Sequence, residues 1–507
     1  MDTLAGVVQT ILSFDVTLWA LLVLGTLLGL LIGVLPGLTF VMGVLLILPF
    51  TYGMDVDASL IVMVTVYVAG TYGGAITAIL LRVPGEPNHV PLLWDGYTMS
   101  RRGQGAQALG WAATSALVGG LVSWLFLAFA AQPFAQIALS FSSVEYFVIV
   151  LLGLTSVLAL SQGSVLKAFI SLIGGMLLAT VGVDSVYGEL RFDFGSPVLQ
   201  SGVDWIVVMI GVYSLGEVVT RFANRFGGDA TTQQPERIRT VVPGPKALWE
   251  RSGSLGRGVL IGSLMGTVPG AGATVGSFVA YGLERQFGKY RRDVGNGSPA
   301  GVIGPQAAST ATVASAFIPM LVLGIPGSAS AAVILGALLL HDVQPGPDIF
   351  RTQPELIHTI LAALLVGVVL MFVAGLLTAK PMIRILKVPE PYVAVFIVLF
   401  SFIGAFALRN SMADVWLMVA FAGLGTLMNR FGFPISPLVL GAILGPLAER
   451  FFLTSMISYA NDLTVFVTRP ISGALMGVWV LVVALVGLQA FRRSRTAITS
   501  RHEGDAR

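Results

Sequence analysis

Long apolar runs separated by short polar loops make up most of the chain. In the first half they lie near residues 18–50, 60–82, 106–133, 144–160, 168–182 and 203–220. In the second half they lie near residues 258–283, 300–340, 359–379, 390–408, 412–428, 433–449 and 472–490. Many runs reach the roughly 20 residues that an α-helix needs to cross a bilayer, which predicts an all-α polytopic membrane protein with about 11–12 crossings plus helical hairpins.

Glycine ladders stand in two of these runs. The first consists of Gly25, Gly29, Gly33 and Gly37. The second, 233 positions later, consists of Gly258, Gly262, Gly266 and Gly270. Pro36 and Pro269 directly precede the last glycine of each ladder. Two ladders that both end in Pro-Gly indicate a duplicated chain, and small residues at this spacing predict close packing against a neighbouring helix.

Each half carries a second Pro-Gly, at Pro84-Gly85 and at Pro326-Gly327. Proline breaks or kinks a helix, and glycine permits the backbone angles that a break requires. Within a bilayer such a break is tolerated where protein or a water-filled cavity satisfies the freed backbone groups. We therefore expect the four breaks to line a midplane site, where half-helix N-termini favour an anionic solute. The alternative is a set of proline kinks packed by small residues.

Charge supports the membrane assignment and adds a topology. Charged residues make up 11% of the chain and hydrophobic residues 55%, whereas soluble domains carry about a quarter charged residues. Lys and Arg concentrate in residues 221–257 and in the tail 491–507. Because basic loops stay in the cytoplasm, we expect the linker and the C-terminus inside and the N-terminus in the periplasm. Residues 1–17 lack Lys and Arg, so no cleavable signal peptide is expected.

Matching loops of the two halves have opposite charge. Loop 51–59 is acidic, and the equivalent loop 284–293 is basic. After the second break the order reverses, with Arg101 and Arg102 in the first half and an acidic loop, 341–358, in the second. Opposite charge bias predicts inverted-topology repeats, which are common in secondary transporters. The predicted domains are a first membrane repeat (1–220), a cytoplasmic basic linker (221–257), a second membrane repeat (258–490) and a cytoplasmic basic tail (491–507).

The break residues and the polar side chains near them form the candidate site. The predicted solute-binding residues are Pro36, Gly37, Thr39, Pro84, Gly85, Pro269, Gly270, Thr274, Ser309, Thr310, Pro326, Gly327 and Ser328. The candidates for coupling a cation are Thr71, Tyr72, Gln306 and Glu86. A single hydroxyl in a helix more often bonds to its own backbone, whereas a carboxylate within the membrane is a functional candidate by default.

Other function classes lack their signatures. The chain has no cysteine, which excludes disulfides and thiolate metal sites. It has neither a GxxxxGK[ST] nor an HExxH motif, so no ATPase or zinc protease is indicated. The net charge of +3 comes from loops and tail, and no nucleic-acid partner is expected. We expect the chain to be surrounded by membrane lipid and to have no enzyme activity and no cofactor. The expected coupling cation is sodium or a proton, and no bound metal other than sodium is expected.

Six stretches of the chain resemble the large membrane subunit of the tripartite tricarboxylate transporter (TctA-like) family. They are GVLPGLTFVMGVLLILPFTYG (33–53), YGGAITAILLRVPGEP (72–87), LWDGYTMSRRGQGAQALG (93–110), GTVPGAGATVGSFVAYGLER (266–285), IPMLVLGIPGSASAAVILGALLLHDVQPGPDIF (318–350) and PLVLGAILGPLAERFF (437–452). The resemblance implies a secondary active transporter of the bacterial inner membrane that takes up carboxylates with an ion gradient. It also implies two partners, a small membrane subunit and a periplasmic solute-binding protein.

One stretch departs from the family pattern. Where the family typically has a sequence resembling PEAANNA, this chain has PQAASTA at 305–311. Gln306 therefore stands in place of a carboxylate, and Ser309 and Thr310 stand in place of two amides. Glu86 lies where a small residue is more usual in the family. These changes alter the groups offered to a coupling ion and to the solute.

The predicted function is symport of a small organic anion, tricarboxylate- or dicarboxylate-like, delivered by a periplasmic binding protein. The first alternative is an ion-coupled carrier that works without a binding protein. An intramembrane enzyme and a membrane scaffold are the alternatives from other classes. A scaffold has no need of paired helix breaks, and an enzyme should show a titratable pair of residues within a membrane segment.

Overall fold

The described part of the chain is almost entirely helical. The computed structural model describes residues 2–35, 38–160, 164–184, 186–224, 240–269, 272–385 and 390–484. Three of the predicted break residues, Pro36, Gly37 and Gly270, lie outside the described residues, as do residues 225–239 of the predicted linker and the predicted tail 491–507.

The elements follow one another in this order. The first helices are α1 (Asp2–Ser13), α2 (Val16–Val34), α3 (Phe40–Thr51), α4 (Val56–Leu81), α5 (Val90–Met99), α6 (Gly105–Ala138), α7 (Ser143–Leu160) and α8 (Val165–Ala179). A ribbon of β1 (Gly182–Val183) and β2 (Leu190–Arg191) precedes α9 (Pro197–Gln200), α10 (Trp205–Met209) and α11 (Gly216–Asn224). Then come α12 (Pro245–Glu250), α13 (Ser252–Thr267), α14 (Gly272–Phe287), α15 (Ala300–Leu323), α16 (Ala329–Leu340), α17 (Ile349–Thr352) and α18 (Pro354–Ile385). Next are α19 (Glu390–Arg409), α20 (Met412–Phe431), α21 (Ile435–Ser458) and α22 (Val465–Thr468). A further apolar helix, Pro470–Ala484, ends the described part of the chain.

Seven described helical segments are long and apolar enough to cross a bilayer. They are α2, α4, the stretch Pro87–Ala138 that contains α5 and α6, α15, α18, α20 and α21. Shorter apolar helices, among them α3, α8 and α16, accompany them. The prediction of an all-α polytopic membrane protein is therefore confirmed.

The ladder helices pack against the long helix that follows in each half, so α2 lies on α4 and α13 lies on α15. A Cβ atom on the described rungs of α2 would lie within 3.0 Å of a carbonyl oxygen of α4, at Val62, Val66 and Gly70 in turn. A Cβ atom on the three rungs of α13 would lie within 2.7 Å of the carbonyl oxygens of Gly304, Ala308 and Thr312. The second set of carbonyls follows the first by 242 positions throughout. The predicted packing role of the rungs is confirmed.

The helices end where the Pro-Gly pairs predicted breaks. In the ladder helices, α2 ends two residues before Pro36 and α13 ends two residues before Pro269. The long helices end in the same left-handed cap, with φ 60° at Arg82 and φ 69° at Gly324. The next backbone N–H bonds back six residues in both, from residue 83 to 77 at 3.3 Å and from 325 to 319 at 3.2 Å. This left-handed cap pairs one of the last carbonyls of each helix, and it leaves the following Pro-Gly free to redirect the chain.

The chain forms two compact units, and each unit draws on both halves of the sequence. The first comprises Met1–Leu139 and Met209–Gly423. It contains the described residues of the Pro-Gly pairs and of both ladders. The second comprises Ser140–Val208 and Leu424–Arg507. The predicted repeat boundaries describe a duplication of the sequence rather than these units, and the inverted orientation of the repeats stays a prediction.

Ion pairs hold the ends of helices in the second unit. Arg191 of β2 binds the Glu449 carboxylate with two nitrogens, and these hydrogen bonds raise the pKa of the Arg191 guanidinium. Arg469 Nε donates to the buried Glu145 carboxylate at 3.0 Å. Paired carboxylates of this kind order the chain locally, so both glutamates have a structural role here.

Candidate functional site

The second break of each half lies against the last described rung of the ladder in the same half. A Cβ atom on Gly85 would lie 2.4 Å from the Gly33 carbonyl oxygen, and one on Gly327 would lie 2.4 Å from the Gly266 carbonyl oxygen. Real Cβ atoms do not approach that closely, so neither glycine can carry a side chain without movement of backbone. The structure therefore brings a ladder and a second break together in both halves.

The second break of the second half also contacts the first half. Ser328 follows Pro326-Gly327 and caps α16, where its hydroxyl accepts from the Ala331 N–H at 3.1 Å. The same hydroxyl lies 2.9 Å from the Tyr67 hydroxyl of α4. The Tyr67 ring packs on Phe40, the first residue of α3, with ring centroids 5.3 Å apart. The start of α16 thus meets the start of α3.

Glu86, which follows Pro84-Gly85, also contacts the start of α3. Its carboxylate is buried and accepts a hydrogen bond from the Phe40 N–H at the start of α3. Thr39 caps that helix, with its hydroxyl accepting from the Met42 N–H at 3.2 Å. Free N–H groups at a helix N-terminus favour an anion. In this conformation a carboxyl group of the protein itself occupies that position.

The reciprocal contact joins the second break of the first half to the second half. Asn88 follows Pro84-Gly85, and its Nδ2 donates to the Ser309 hydroxyl of α15 at 2.8 Å. The backbone carbonyl of Asn88 accepts from the Ser277 hydroxyl of α14 at 2.6 Å. In each half, the chain that follows the second break therefore contacts broken helices of the other half.

One backbone carbonyl connects two of the predicted coupling residues, Thr71 and Gln306, with His89. The Thr71 oxygen of α4 accepts from Gln306 Nε2 at 3.2 Å and lies 2.9 Å from His89 Nε2. Gln306 Nε2 also donates to the Thr310 hydroxyl at 3.2 Å. The Thr71 hydroxyl is bonded to the Val68 carbonyl of its own helix at 2.7 Å. Thr71 thus contributes its backbone rather than its side chain.

Two of the predicted residues stand apart from these contacts. Tyr72 packs against Gly375 of α18, where a Cβ atom on the glycine would lie 2.4 Å from the tyrosine ring. Thr274 lies in the first turn of α14, but Ser277 makes the contact to the first half from that helix. Of the break prolines, Pro84, Pro269 and Pro326 lie in the chain between helices.

Four contact residues were not among the predicted site residues: Tyr67, Asn88, His89 and Ser277. Tyr67 stands inside an apolar run, so its hydroxyl gave no local signal. Asn88 and Ser277 are polar residues near breaks, and that position was the signal which could have selected them. Their partners lie 221 and 189 residues away in the sequence, which no local pattern indicates.

A second polar cluster holds the loop between α14 and α15. The buried carboxylate of Asp95 on α5 accepts from the N–H groups of Gly295 at 2.9 Å, Gly297 at 2.8 Å and Ser298 at 2.7 Å. The Tyr281 hydroxyl donates to the same carboxylate at 3.0 Å. A carboxylate with this many donors is fully satisfied, so the cluster acts as a structural latch.

A separate cavity of about 260 Å³ lies between α1, α6 and α18. Leucine, alanine and isoleucine side chains dominate its wall, together with Thr3, Gln132 and His358. None of the predicted site residues lines it, so it belongs to another part of the first unit than the breaks.

Comparison with known proteins agrees with the polytopic membrane fold. Residues 19–440 match the tripartite tricarboxylate transporter TctA family. The chain belongs to this family. It is therefore a membrane subunit of a tripartite tricarboxylate transporter, and the predicted transporter class is confirmed. The matched residues include both ladders, all four Pro-Gly positions and the departing stretch 305–311.

Two relatives from Agrobacterium vitis are similar to this TctA-family chain. One is an uncharacterised 52.8 kDa protein of the TAR-I ttuC' 3' region, 35% identical over 474 residues, which are 94% of each chain. The other is an uncharacterised protein of the TAR-II ttuC' 3' region, 36% identical over 237 residues. That alignment covers 47% of this chain and 98% of the relative. No solved structure matches the chain.

Proposed function

We propose that this chain carries a small organic anion of the tricarboxylate or dicarboxylate class across the bacterial inner membrane, driven by symport of a cation. A periplasmic binding protein delivers the solute, and a small membrane subunit completes the assembly. The observation that carries the proposal is the reciprocal contact of the breaks, in which Ser328 meets Tyr67 and Asn88 meets Ser277 and Ser309. Paired breaks at the interface of two repeats are the usual substrate site of a secondary transporter.

The anionic solute is proposed to bind where α3 and α16 begin. Two helix N-termini meet there, and Thr39, Ser328 and Tyr67 supply hydroxyls. Helix N-termini and hydroxyl donors together suit a carboxylate. Glu86 already places a carboxylate against α3, so solute binding requires that Glu86 be protonated or displaced. That exchange links solute entry to a change in the protein.

The transport cycle is proposed to be alternating access between inverted repeats. The equal offset of 242 positions in the caps and in the ladder contacts supports the duplication. The opposite charge of matching loops supports the inversion and the placement of both termini. A rocking motion of this kind would expose the breaks first to the periplasm and then to the cytoplasm.

Uptake in proteoliposomes tests the proposal. The full chain is reconstituted with its small membrane subunit, and entry of labelled tricarboxylates and dicarboxylates is followed with and without the binding protein. Sodium and proton gradients are imposed separately. The proposal expects uptake that requires the binding protein and one of the two gradients. Equal uptake without the binding protein supports the simpler carrier, and no uptake of any carboxylate refutes the solute class.

A further inference from the structure

The network around the Thr71 carbonyl leaves two carboxamide oxygens without a partner. Gln306 and Asn88 are 0% and 1% exposed. Within the described part of the chain, neither Gln306 Oε1 nor Asn88 Oδ1 has a hydrogen-bond partner. Buried polar atoms are nearly always paired, because an unpaired one gives up its hydrogen bonds to water without replacing them. Two such atoms in one network indicate a bound partner that does not belong to the chain, either water or a ligand.

The orientation of the Gln306 carboxamide follows from its other end. The Thr71 carbonyl can only accept, so Gln306 must direct its nitrogen toward it and its oxygen away. Asn88 uses its nitrogen on the Ser309 hydroxyl. Asn88 is next to His89, which shares the Thr71 carbonyl with Gln306. Both oxygens therefore belong to one connected group between α4, α15 and the chain after the first half's second break.

The chemistry of these atoms selects the ligand. Two free acceptors repel an anion and attract a group that is positive or donates hydrogen bonds. Amide oxygens are hard ligands, and they suit hard metal cations. Among the described residues no group of three acidic, histidine or cysteine side chains stands ready for a metal. Neutral ligands compensate one buried positive charge far better than two, which favours a monovalent ion.

We propose that Gln306 Oε1 and Asn88 Oδ1 are ligands of a monovalent metal cation, the ion whose gradient drives the carrier. The proposal rests on the cation coupling proposed above and adds the site and the kind of ion. Neither carboxamide takes up a proton near neutral pH, so the site itself binds a metal ion rather than a proton. The substitution of a family carboxylate by Gln306 keeps the oxygen ligand and removes its charge.

Sodium binding to the purified full chain tests this site without any solute. The thermal midpoint is followed while sodium replaces choline at constant ionic strength, with lithium and potassium in parallel series. Binding of radioactive sodium gives an independent measurement. The wild-type chain should show saturable stabilisation by at least one of these ions. Gln306→Met and Asn88→Leu should each weaken the apparent affinity by about tenfold or more, because each removes one ligand.

Ser263→Ala is the matched control. Its hydroxyl is also buried and has no partner in the described part of the chain, but it lies on α13 outside the network. This variant should bind the cation like the wild type. Gln306→Glu keeps an oxygen and adds a charge, so it should bind at least as tightly, and it remains informative if the Met and Leu variants do not fold.

The outcomes separate this inference from the transport proposal. Unchanged cation affinity in folded Gln306→Met and Asn88→Leu, loss of binding in folded Gln306→Glu, or no metal-ion binding by the wild type overturns the site. Uptake driven by a proton gradient alone also overturns it, while leaving carboxylate import standing. Cation binding that depends on both residues supports the site even if no carboxylate is carried.

Discussion

Gly85 lies so close to the Gly33 carbonyl oxygen that a Cβ atom there would come within 2.4 Å of it. The same distance recurs between Gly327 and the Gly266 carbonyl oxygen in the second half. The same contact between a ladder and the second break therefore occurs in both halves. The ladder brings two helices into backbone contact, and the break then turns the chain over the end of that contact.

Alanine at either break glycine should therefore disrupt the fold locally. Gly85→Ala and Gly327→Ala force backbone apart, and overpacking of this kind costs about 1–3 kcal/mol. Thermal unfolding in detergent should show a lower midpoint for both, with loss of uptake. Gly282→Ala is the control, since a Cβ on that glycine of α14 meets nothing within 4 Å. Equal midpoints for all three variants would contradict the packing described here.

The Asp95 latch predicts a local effect on the loop between α14 and α15. Asp95→Asn replaces a carboxylate that accepts from three backbone N–H groups and Tyr281. Charge-assisted hydrogen bonds contribute about 1.5–3 kcal/mol each. Hydrogen exchange in residues 288–299 should become faster, whereas Tyr281→Phe, which removes one donor, should have a smaller effect. Unchanged exchange in Asp95→Asn would show that the loop is held by other contacts.

The sequence was sufficient for the features that depend on neighbouring residues. Pro-Gly pairs predicted where α2, α4, α13 and α15 end, because proline and glycine act on the backbone at their own position. The spacing of the rungs predicted close helix contact, since residues four apart share one face of a helix. The duplication was predicted for the same reason, because both patterns recur in order.

The contacts between the two halves could not be predicted in this way. Tyr67 and Ser328 are 261 residues apart, and their pairing depends on how two broken helices cross. Three donors of the Asp95 latch are backbone N–H groups, which nearly every residue type has, so the sequence does not distinguish them. Thr71 was predicted for its hydroxyl, yet its carbonyl makes the connection, since a membrane-helix hydroxyl readily bonds to its own helix.

The ion pair between α13 and α14 predicts strong coupling of two residues. Arg257 Nε donates to Glu284 Oε1 at 2.8 Å, and the glutamate side chain is fully buried. Arg257→Gln leaves a buried carboxylate without its cation, which costs about 3–5 kcal/mol. The double variant Arg257→Gln with Glu284→Gln should recover much of that loss. Midpoints from a double-mutant cycle measure the coupling, and additive effects would argue against a buried pair.

Glu86 provides the sharpest prediction about solute binding. Its carboxylate accepts from the Phe40 N–H at the start of α3, the position proposed for a solute carboxylate. Glu86→Gln keeps an oxygen for that hydrogen bond but cannot ionise, so no negative charge can develop where an incoming anion would bind. We therefore expect a lower KM for carboxylate uptake, by about tenfold if the relief amounts to about 1.4 kcal/mol.

A matched variant separates this charge effect from a loss of helix capping. Thr39→Val removes the cap of α3 and one hydroxyl of the proposed solute site but leaves Glu86 in place, so it should lower stability and raise KM rather than lower it. KM is measured with the binding protein held in excess, so that delivery does not limit the rate. A higher KM in Glu86→Gln would mean that the carboxylate helps to bind the solute or its cation, and the proposed competition at α3 would have to be abandoned.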